Sequence, residues 1–300
     1  MKKFLPYVKV IFCCLLCFAF FIAFACFPKK NGKKGSAESS YLSIWQIDSF
    51  EGGKGSRSDY LQKIGNSFAK DENCYVNVIS ISAEAARINL SKGIIPDLIS
   101  YGAGTYGIES YITGYTVWCN GCYCLLTLDT NSDFGDANKD NTIINEGKDN
   151  FVGAAALLYG LYGAKSEKST GAYLKMINGN YKYLLGTQRD IFRLKTREVT
   201  FSVKPINIFN DLYQNISVTS SSSNKASAQK FIDYVLSHKD DLVKIGMMFE
   251  GVKLYDNEMT SLENVKYELK LTSPLNYERK EEIKNAVYSN DINKLKKLLN

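Results

Sequence analysis

Alternating and helical patterns of apolar residues follow one another along the chain after residue 40. Runs in which every second residue is apolar are typical of strands, and apolar residues three and four positions apart are typical of helices. Here they occur in the order strand, helix, strand, helix, strand. This order predicts an α/β fold with a parallel sheet covered on both faces. The strands are predicted at 41–47, 75–82 and 94–100, with helices behind residue 56 and between residues 83 and 93.

Two local signals mark where these helices begin and end. Ser56 and Asp59 have the spacing of a capping box, in which side chains satisfy N–H groups of the first helical turn. Gly93 is placed to end the second helix, because glycine readily adopts the left-handed backbone of a helix C-terminus. The apolar positions of the first helix are Tyr60, Leu61, Ile64 and Phe68.

The rest of the chain mixes strands with helices around one long polar loop. That loop is predicted at 129–150, which is rich in Asp, Asn and Gly. Near the C-terminus two amphipathic helices are predicted, the second beginning at Asp291 and burying Ile292, Leu295, Leu298 and Leu299. Further strands are predicted within 115–128 and at 181–185, 199–206 and 216–219, and further helices at 151–162, 173–177 and 226–236.

The N-terminal segment has the pattern of an export signal. Lysines precede an uncharged apolar run, and small residues precede Cys26. This arrangement resembles a bacterial lipoprotein signal, with residues 1–25 as the signal peptide and Cys26 as the lipidated N-terminus. An uncleaved membrane anchor and simple cleavage after Ala25 are the alternatives. Residues 26–40 are rich in Lys, Gly and Ser and predict a flexible tether at the outer face of the membrane.

The formal net charge of +6 is concentrated in this N-terminal segment. Seven of the 37 basic residues and one of the 31 acidic residues lie in the first 40 positions, which leaves 30 of each in the remainder. A nucleic-acid-binding domain is expected to carry a basic surface. The balanced charge after residue 40 therefore argues against a nucleic-acid partner.

Three cysteines form the pattern Cys119-x-x-Cys122-x-Cys124 in an apolar stretch. Buried thiols, a disulfide, and a metal or redox site are all compatible with this spacing. A tetrahedral metal site would need further ligands, but the chain has one histidine, His238, and no second paired-cysteine motif. No metal site is therefore predicted.

Short motifs resemble one family through the order in which they occur. They are Leu42–Trp45 in the first strand, Gly93–Ser100 with its Pro-Asp pair, Thr116–Trp118, Ser217–Lys225 followed by Ala228 and Phe231, and Ile245-Gly246. Over residues 42–255 the chain is thereby similar to bacterial extracellular solute-binding proteins, the receptor lipoproteins of ATP-binding-cassette (ABC) importers. The likeness is to the type II periplasmic-binding fold of maltose- and oligosaccharide-binding proteins.

The resemblance implies two lobes, each a mainly parallel sheet flanked by helices, that close on a ligand. It implies a monomer that is not an enzyme, needs no cofactor, and delivers a solute to ABC permease subunits. A sugar or oligosaccharide is the expected solute, while a peptide or polyamine remains open. A sensor or surface protein of the same fold, without transport, is the alternative. Lobe 1 is predicted as 41–116 plus 212–244, and lobe 2 as 117–211 plus 245–300.

Candidate ligand-binding residues are polar or aromatic side chains near predicted strand ends and lobe crossings. Aromatic faces stack on the C–H faces of sugars, and carboxylates, amides and guanidinium groups bind hydroxyls. Each candidate has a structural alternative: core packing for the aromatic rings and a local polar network for the charged residues. The set is Asp48, Glu51, Arg57, Tyr101, Trp118, Gln188, Arg189 and Tyr213.

Two further patterns are weaker. Asp136, Asn138 and Asp140 have the spacing of part of a calcium loop, but Asn141 and Gly147 replace its glycine and its last glutamate, which favours an ordinary Asx-rich loop. With one histidine, no nucleophile–histidine pair is apparent, so a secreted enzyme is the least favoured function.

Overall fold

Two five-stranded sheets organise the protein in the computed structural model, which describes residues 41–47, 56–147, 151–250, 253 and 260–300. The strands of the first sheet lie in the order β2-β1-β3-β11-β4, and those of the second in the order β7-β6-β8-β5-β9. The strands are β1 (Tyr41–Ile47), β2 (Tyr75–Ile81), β3 (Leu98–Gly102), β4 (Ile112–Cys119), β5 (Tyr123–Thr127), β6 (Thr142–Glu146), β7 (Lys165–Lys168), β8 (Tyr183–Thr187), β9 (Ser202–Pro205), β10 (Phe209–Asn210), β11 (Gln214–Thr219) and β12 (Leu269–Lys270).

Helices flank both sheets, and β10 pairs with β12 as a separate ribbon. Short 3₁₀ helices occur at Glu109–Tyr111 and Lys239–Ile245. The α-helices are α1 (Arg57–Asp71), α2 (Ala83–Ser91), α3 (Val152–Leu158), α4 (Ser169–Ile177), α5 (Gln188–Thr196), α6 (Lys225–Ser237), α7 (Thr260–Glu263), α8 (Tyr277–Tyr288) and α9 (Ile292–Leu299).

The first sheet confirms the predicted order of strands and helices. β1 pairs in parallel with β2 and β3, while β11 runs antiparallel between β3 and β4. β1 buries side chains on both faces, with Leu42 and Ile44 in one core and Trp45 and Ile47 in the other. The predicted apolar stripe of α1 is buried, and the Ser56 hydroxyl accepts a hydrogen bond from the Asp59 N–H group.

The second sheet contains elements that the sequence patterns did not predict. β6 lies inside the predicted loop 129–150, because Thr142-Ile-Ile-Asn forms a buried strand directly after an Asx-rich turn. β7 is an edge strand without apolar residues, and α5 lies between the strands predicted at 181–185 and 199–206, where no helix was predicted. Near the C-terminus α9 starts after Asp291 as predicted and buries Leu295 and Leu299, but Ile292 is exposed.

Three passages of chain connect the sheets. The first leaves β4 at Cys119 and enters β5 at Tyr123, and the second runs from β10 into β11. The third passage follows the 3₁₀ helix Lys239–Ile245 and contains Met248, which pairs with Asn120 in an isolated antiparallel bridge. The first passage thus begins at Cys119, three residues after the predicted end of the first lobe-1 segment at residue 116, while the lobe boundaries themselves stay a prediction.

The described elements belong to one compact unit, Ser40–Asn300. The predicted signal peptide, Cys26, the tether, Asp48 and Glu51 all lie outside the described residues. Within the described part of the chain, every helix is too short or too polar to cross a membrane.

Candidate functional site

Buried polar atoms without a hydrogen-bond partner occur beside the ends of the sheet strands. Buried polar groups are nearly always paired, so each exception requires an explanation. Ligands of open α/β sheets lie beyond the carboxyl ends of the parallel strands, and several of these atoms lie there. Among the described residues the atoms are Gln46 Oε1 near the end of β1, Arg57 Nε at the start of α1, Asn120 Oδ1 after β4, Asn145 Oδ1 near the end of β6, and Asn215 Oδ1 opposite Tyr101.

Arg57 is the charged member of this set. It is the first residue of α1, is only 3 % exposed, and has no partner for Nε. Among the described residues no hydrogen bond or ion pair reaches its side chain. A buried guanidinium needs an acceptor, because removing it from water is costly. The acids of the preceding loop, Asp48 and Glu51, lie outside the described residues, so the binding role of Arg57 and its pairing with an acid both stay predictions.

Trp118 and Tyr101, by contrast, are core residues. Trp118 is 1 % exposed, stacks on Tyr60 with ring centroids 5.7 Å apart, and donates from Nε1 to the Ser100 hydroxyl at 2.9 Å. Tyr101 is fully buried, and its hydroxyl lies 3.0 Å from that of Ser217. Neither ring has a face open for stacking on a sugar, so the packing alternative applies to both.

Gln188 and Arg189 belong to a network that holds the passages together. The Gln188 carbonyl Oε1 accepts a hydrogen bond from the Cys122 N–H group at 3.0 Å, and its amide contacts the Met247 sulfur. The Arg189 guanidinium donates to the Ile245 carbonyl. Both side chains therefore tie α5 to the passages, which is the polar-network alternative rather than an open ligand contact.

Asp211 is a buried carboxylate whose role the sequence did not reveal. Its oxygens accept hydrogen bonds from the Tyr123 hydroxyl at 2.7 Å and from the Phe151 N–H group at 2.6 Å. Burial raises the pKa of Asp211 to about 6, although these hydrogen bonds act in the opposite direction. The side chain thus links the second passage to β5 and to the start of α3, at the point where a parallel strand of the second sheet has ended.

Asp190 plays a similar part at the start of α5. It completes a capping box with Thr187, accepts from the Asn145 amide at 2.8 Å, and lies 3.3 Å from the Arg193 guanidinium. Burial raises the pKa of this carboxyl group, while Arg193 opposes the shift. The spacing Thr187-x-x-Asp190 was a sequence signal for this helix, since it matches a capping box.

The crossing cavity, with a volume of about 480 Å³, lies beside the passages between the sheets. It is lined by Asn120, Gly121, Tyr213 and Lys270 together with residues 248–250 and 262–267. The Lys270 ammonium group lies 4.5 Å from the centre of the Tyr213 ring, and burial raises the pKa of Tyr213 to about 12. Tyr213 is thus a predicted ligand residue that the structure places on a cavity wall.

The edge cavity, with a volume of about 240 Å³, lies at the end of β2. Its lining consists of the start of α2 (residues 82–84), Arg87, Tyr106, Lys280 and Lys284. These residues were not among the candidates from the sequence. Lys280 and Lys284 are distant in sequence from Arg87, so their proximity depends on the packing of α8 near the first sheet.

The cysteine motif does not form one site. Cys119 lies in a core beside the first sheet, whereas Cys122 and Cys124 lie in a core beside the second. All three are buried free thiols, as is Cys74. Burial raises the pKa of Cys122 to about 12 and also raises that of Cys124. Of the three alternatives, the structure therefore has buried thiols, and the disulfide is wrong.

The Asp136–Asp140 segment is an Asx-rich loop. Asn138 and Asn141 donate side-chain hydrogen bonds to the Asp136 carbonyl, and the Asp136 carboxylate binds Lys182 and the Tyr183 hydroxyl. These protein contacts occupy the carboxylate that a calcium loop would use.

His238 lies against the Tyr234 ring, with Nδ1 2.9 Å from the Tyr234 carbonyl.

No protein-family model and no curated protein matches this sequence. Similar solved structures do exist. The Atu4243 GABA receptor is 12 % identical, with a TM-score of 0.59 over 84 % of this chain and 97 % of that chain. Iron-bound HitA from Pseudomonas aeruginosa is 11 % identical, with a TM-score of 0.57 over 77 % and 93 %. The substrate-binding domain assigned to a molybdenum ABC transporter of Clostridium difficile is 15 % identical, with a TM-score of 0.50 over 70 % and 98 %.

The shared feature of these structures is the fold. The protein has the two-lobed fold of periplasmic binding proteins, with two α/β sheets flanked by helices. This confirms the predicted two-lobed α/β fold class. The sheets are mixed where mainly parallel sheets were expected, because each has two parallel and two antiparallel strand pairings. The ligands in the names of these three proteins differ, so their likeness does not assign a solute to this chain.

Proposed function

We propose that this protein is an extracytoplasmic solute-binding protein that delivers its solute to an ABC importer. The observation that carries the proposal is the set of unpartnered polar atoms at strand ends of both sheets. A bound solute at the edge between the sheets would satisfy such atoms. The similar structures are named as a receptor, an iron-bound protein and a substrate-binding domain, which supports binding rather than catalysis.

The proposed solute is small and polar. A carbohydrate remains a prediction, but two of the rings expected to stack on it, Trp118 and Tyr101, are buried. Tyr213 is the predicted aromatic residue that lines a cavity. We therefore expect substitutions of Arg57 and Tyr213 to weaken solute binding, and these two residues are the first to test.

Lipid attachment at Cys26 is the proposed means of retention at the outer face of the membrane. The support is the apolar run that ends in small residues before Cys26. Metabolic labelling with a radioactive fatty acid should mark the wild-type protein and not Cys26→Ser. Retention of unlabelled Cys26→Ser in the membrane would instead indicate an uncleaved anchor, and release of both proteins would indicate simple cleavage.

Thermal unfolding of the full chain in detergent with a panel of solutes tests the binding proposal. The panel contains sugars, oligosaccharides, amino acids, peptides, polyamines and small anions. A solute at about 100 times its Kd stabilises the folded state by about 2.7 kcal/mol, which corresponds to roughly 5–10 °C for a chain of this size. Arg57→Met should reduce this shift, whereas replacing Arg197, an exposed arginine at the C-terminal end of α5, with Met should not.

Uptake measurements separate transport from sensing. Deletion of the gene should abolish accumulation of the solute that gives the thermal shift, and the wild-type chain should restore it. Binding with unchanged uptake would favour the sensor. Absence of any thermal shift across the panel would contradict the binding proposal itself.

A further inference from the structure

Cationic side chains from two distant parts of the chain line the edge cavity. Arg87 comes from the second turn of α2, and Lys280 and Lys284 come from α8. After residue 40 the chain carries equal numbers of basic and acidic residues. The cationic lining is therefore a local feature, and overall charge does not account for it.

Two of these cations are held in place around one aromatic ring. The Arg87 guanidinium carbon lies 4.2 Å, and the Lys280 ammonium 5.1 Å, from the centre of the Tyr106 ring. Gly107 packs so closely that a Cβ atom there would lie 2.6 Å from Arg87 Cδ. Fixed cations lose less conformational entropy when they bind an anion, so the cavity is preorganised for one.

Lys280 is the more buried of the two cations. Its side chain donates to the Gly104 carbonyl at 3.0 Å, and the residue is 7 % exposed. Charges are rarely buried without a functional or pairing reason. A side chain that is buried, charged and on a cavity wall is suited to binding an oppositely charged group.

The start of α2 adds a second source of positive potential. Ser82 caps this helix through its hydroxyl, which accepts from the Ala85 N–H group at 3.2 Å. The first N–H groups of a helix lack intrahelical acceptors and carry partial positive charge. Helix α2 has nine residues, and its N-terminus faces the same cavity as Arg87 and Lys280.

Among the described residues, two acids lie close to these cations. Glu84 also lines the cavity but is exposed, and Lys284 is partly neutralised by Glu281 at 2.8 Å. Arg87 and Lys280 define the site by their position on the cavity wall around Tyr106.

We propose that the edge cavity binds the anionic group of a small solute, a carboxylate or a phosphate. A guanidinium fork and an ammonium group bind such oxygens with charge-assisted hydrogen bonds. The volume of about 240 Å³ is below that of sites for drug-sized ligands, which suits a small anion. That this anion belongs to the transported solute rests on the proposed function; the anion site itself does not.

Calorimetric titration of the full chain in detergent tests the site. The probes are inorganic phosphate and succinate, with maltose as a neutral probe, at constant ionic strength. We expect one of the two anions to bind, and Arg87→Gln to weaken its Kd by about tenfold or more, since a charge-assisted hydrogen bond contributes above 1.4 kcal/mol. Whichever anion binds more tightly identifies the group as phosphate or carboxylate.

Lys230→Gln is the matched control, because Lys230 is an exposed cation on α6 that pairs with Glu72. The Kd of Lys230→Gln for the anion should stay within about twofold of the wild-type value. Lys280→Met provides a second test and should also weaken anion binding. If this variant fails to fold, Arg87→Gln still tests the site, because Arg87 is only half-buried and its replacement should leave the fold intact. Absence of anion binding, or binding that Arg87→Gln leaves unchanged, would overturn the proposal.

The outcomes separate this inference from the proposed function. Anion binding that depends on Arg87, with unchanged solute uptake in the deletion strain, would support the site and contradict transport. Binding of maltose alone, unaffected by Arg87→Gln, would contradict the anion site and leave a solute-binding protein for neutral solutes.

Discussion

Single buried polar side chains connect the passages between the two sheets. Gln188 contacts both Cys122 and Met247, Asn210 donates from its side chain to the Gly121 carbonyl at 2.8 Å, and Asp211 joins Tyr123 to the Phe151 N–H group. Removing one partner of such a bond leaves the other unsatisfied, which costs more than the bond contributes on average. Substitution of a single polar residue here should therefore change the free energy of unfolding strongly, and some substitutions should raise it while others lower it.

Replacing Arg57 with methionine should stabilise the protein without ligand. The guanidinium is buried with an unpartnered Nε, and methionine keeps an unbranched side chain while removing the charge. We expect the free energy of unfolding to rise by about 1–3 kcal/mol, measured by urea denaturation. A loss of stability of that size would mean that Arg57 has a compensating partner in solution.

Asp211 should make stability depend on pH. Its pKa is about 6 in the folded protein and 3.8 as an isolated group, so the folded state retains a proton that the unfolded chain releases. The contribution of Asp211 to the free energy of unfolding should therefore fall by about 2–3 kcal/mol between pH 4 and pH 7. Its stabilising effect is present at the lower pH and is lost as the pH rises through 6.

Asp211→Asn isolates this effect, because the amide does not titrate. It can still accept from the Phe151 N–H group and donate to the Tyr123 hydroxyl oxygen. The difference in the free energy of unfolding between wild type and variant should change across this pH range, measured by urea denaturation at several pH values. A constant difference would show that Asp211 has an ordinary pKa.

Aromatic residues limit what sequence can say about single side chains. Trp118 and Tyr101 have an apolar ring and one polar atom, which suit both a sugar site and a core. Their polar atoms contact Ser100 and Ser217, which lie on other strands. Those contacts depend on strand register, so the sequence left both roles open.

At the scale of elements, predictability followed the strength of the local pattern. β1, α1, β2 and α2 have regular apolar spacing and clear caps, and the structure confirms them. β7 reads Lys-Ser-Glu-Lys and forms only by pairing in parallel with β6. No local pattern predicts such a strand, because its stability comes from the neighbouring strand.

The start of α5 and the first passage form one packed unit. The Gln188 N–H group donates to the Cys122 carbonyl, and the Gln188 side-chain Oε1 accepts from the Cys122 N–H group. A Cβ atom on Gly121 would lie 2.6 Å from Gln188 Oε1. Gly121→Ala should therefore displace Gln188 and cost about 1–3 kcal/mol in urea denaturation.

In a Gln188→Ala background the same glycine change should cost less, with a coupling of about 1 kcal/mol or more. Gly153→Ala, whose Cβ would contact Val287 at 3.3 Å, is the control and should cost the same in both backgrounds. Strict additivity for Gly121 would show that it does not contact Gln188 in solution.

At the scale of the whole molecule, the two sheets share contacts beyond the passages. Ala103, which follows β3, packs in a core with Leu275 and Ile283, and the Leu275 N–H group donates to the Thr105 carbonyl at 3.0 Å. The segment before α8 is thus attached to the loop after β3. These contacts, with the bonded passages, predict that the sheets unfold together.

Two spectroscopic probes test this cooperativity. Trp45 and Trp118, the two tryptophans, are both in the first sheet, whereas far-UV circular dichroism reports helices and strands of both sheets. We expect the fluorescence and dichroism midpoints in urea to coincide, as in two-state unfolding. Separate midpoints would indicate that the first sheet unfolds independently.

The cysteine motif has a consequence for measuring how the folded protein opens. All four thiols are buried, so an alkylating reagent reacts with them only after the surrounding core has opened. Burial also raises the pKa of Cys122 and Cys124, which lowers their reactivity further. Cys74 and Cys119 belong to one core, and Cys122 and Cys124 to another. The alkylation rate of Cys119 therefore reports the opening of the core beside the first sheet. The rate of Cys124, five positions further along the chain, reports the opening of the core beside the second sheet.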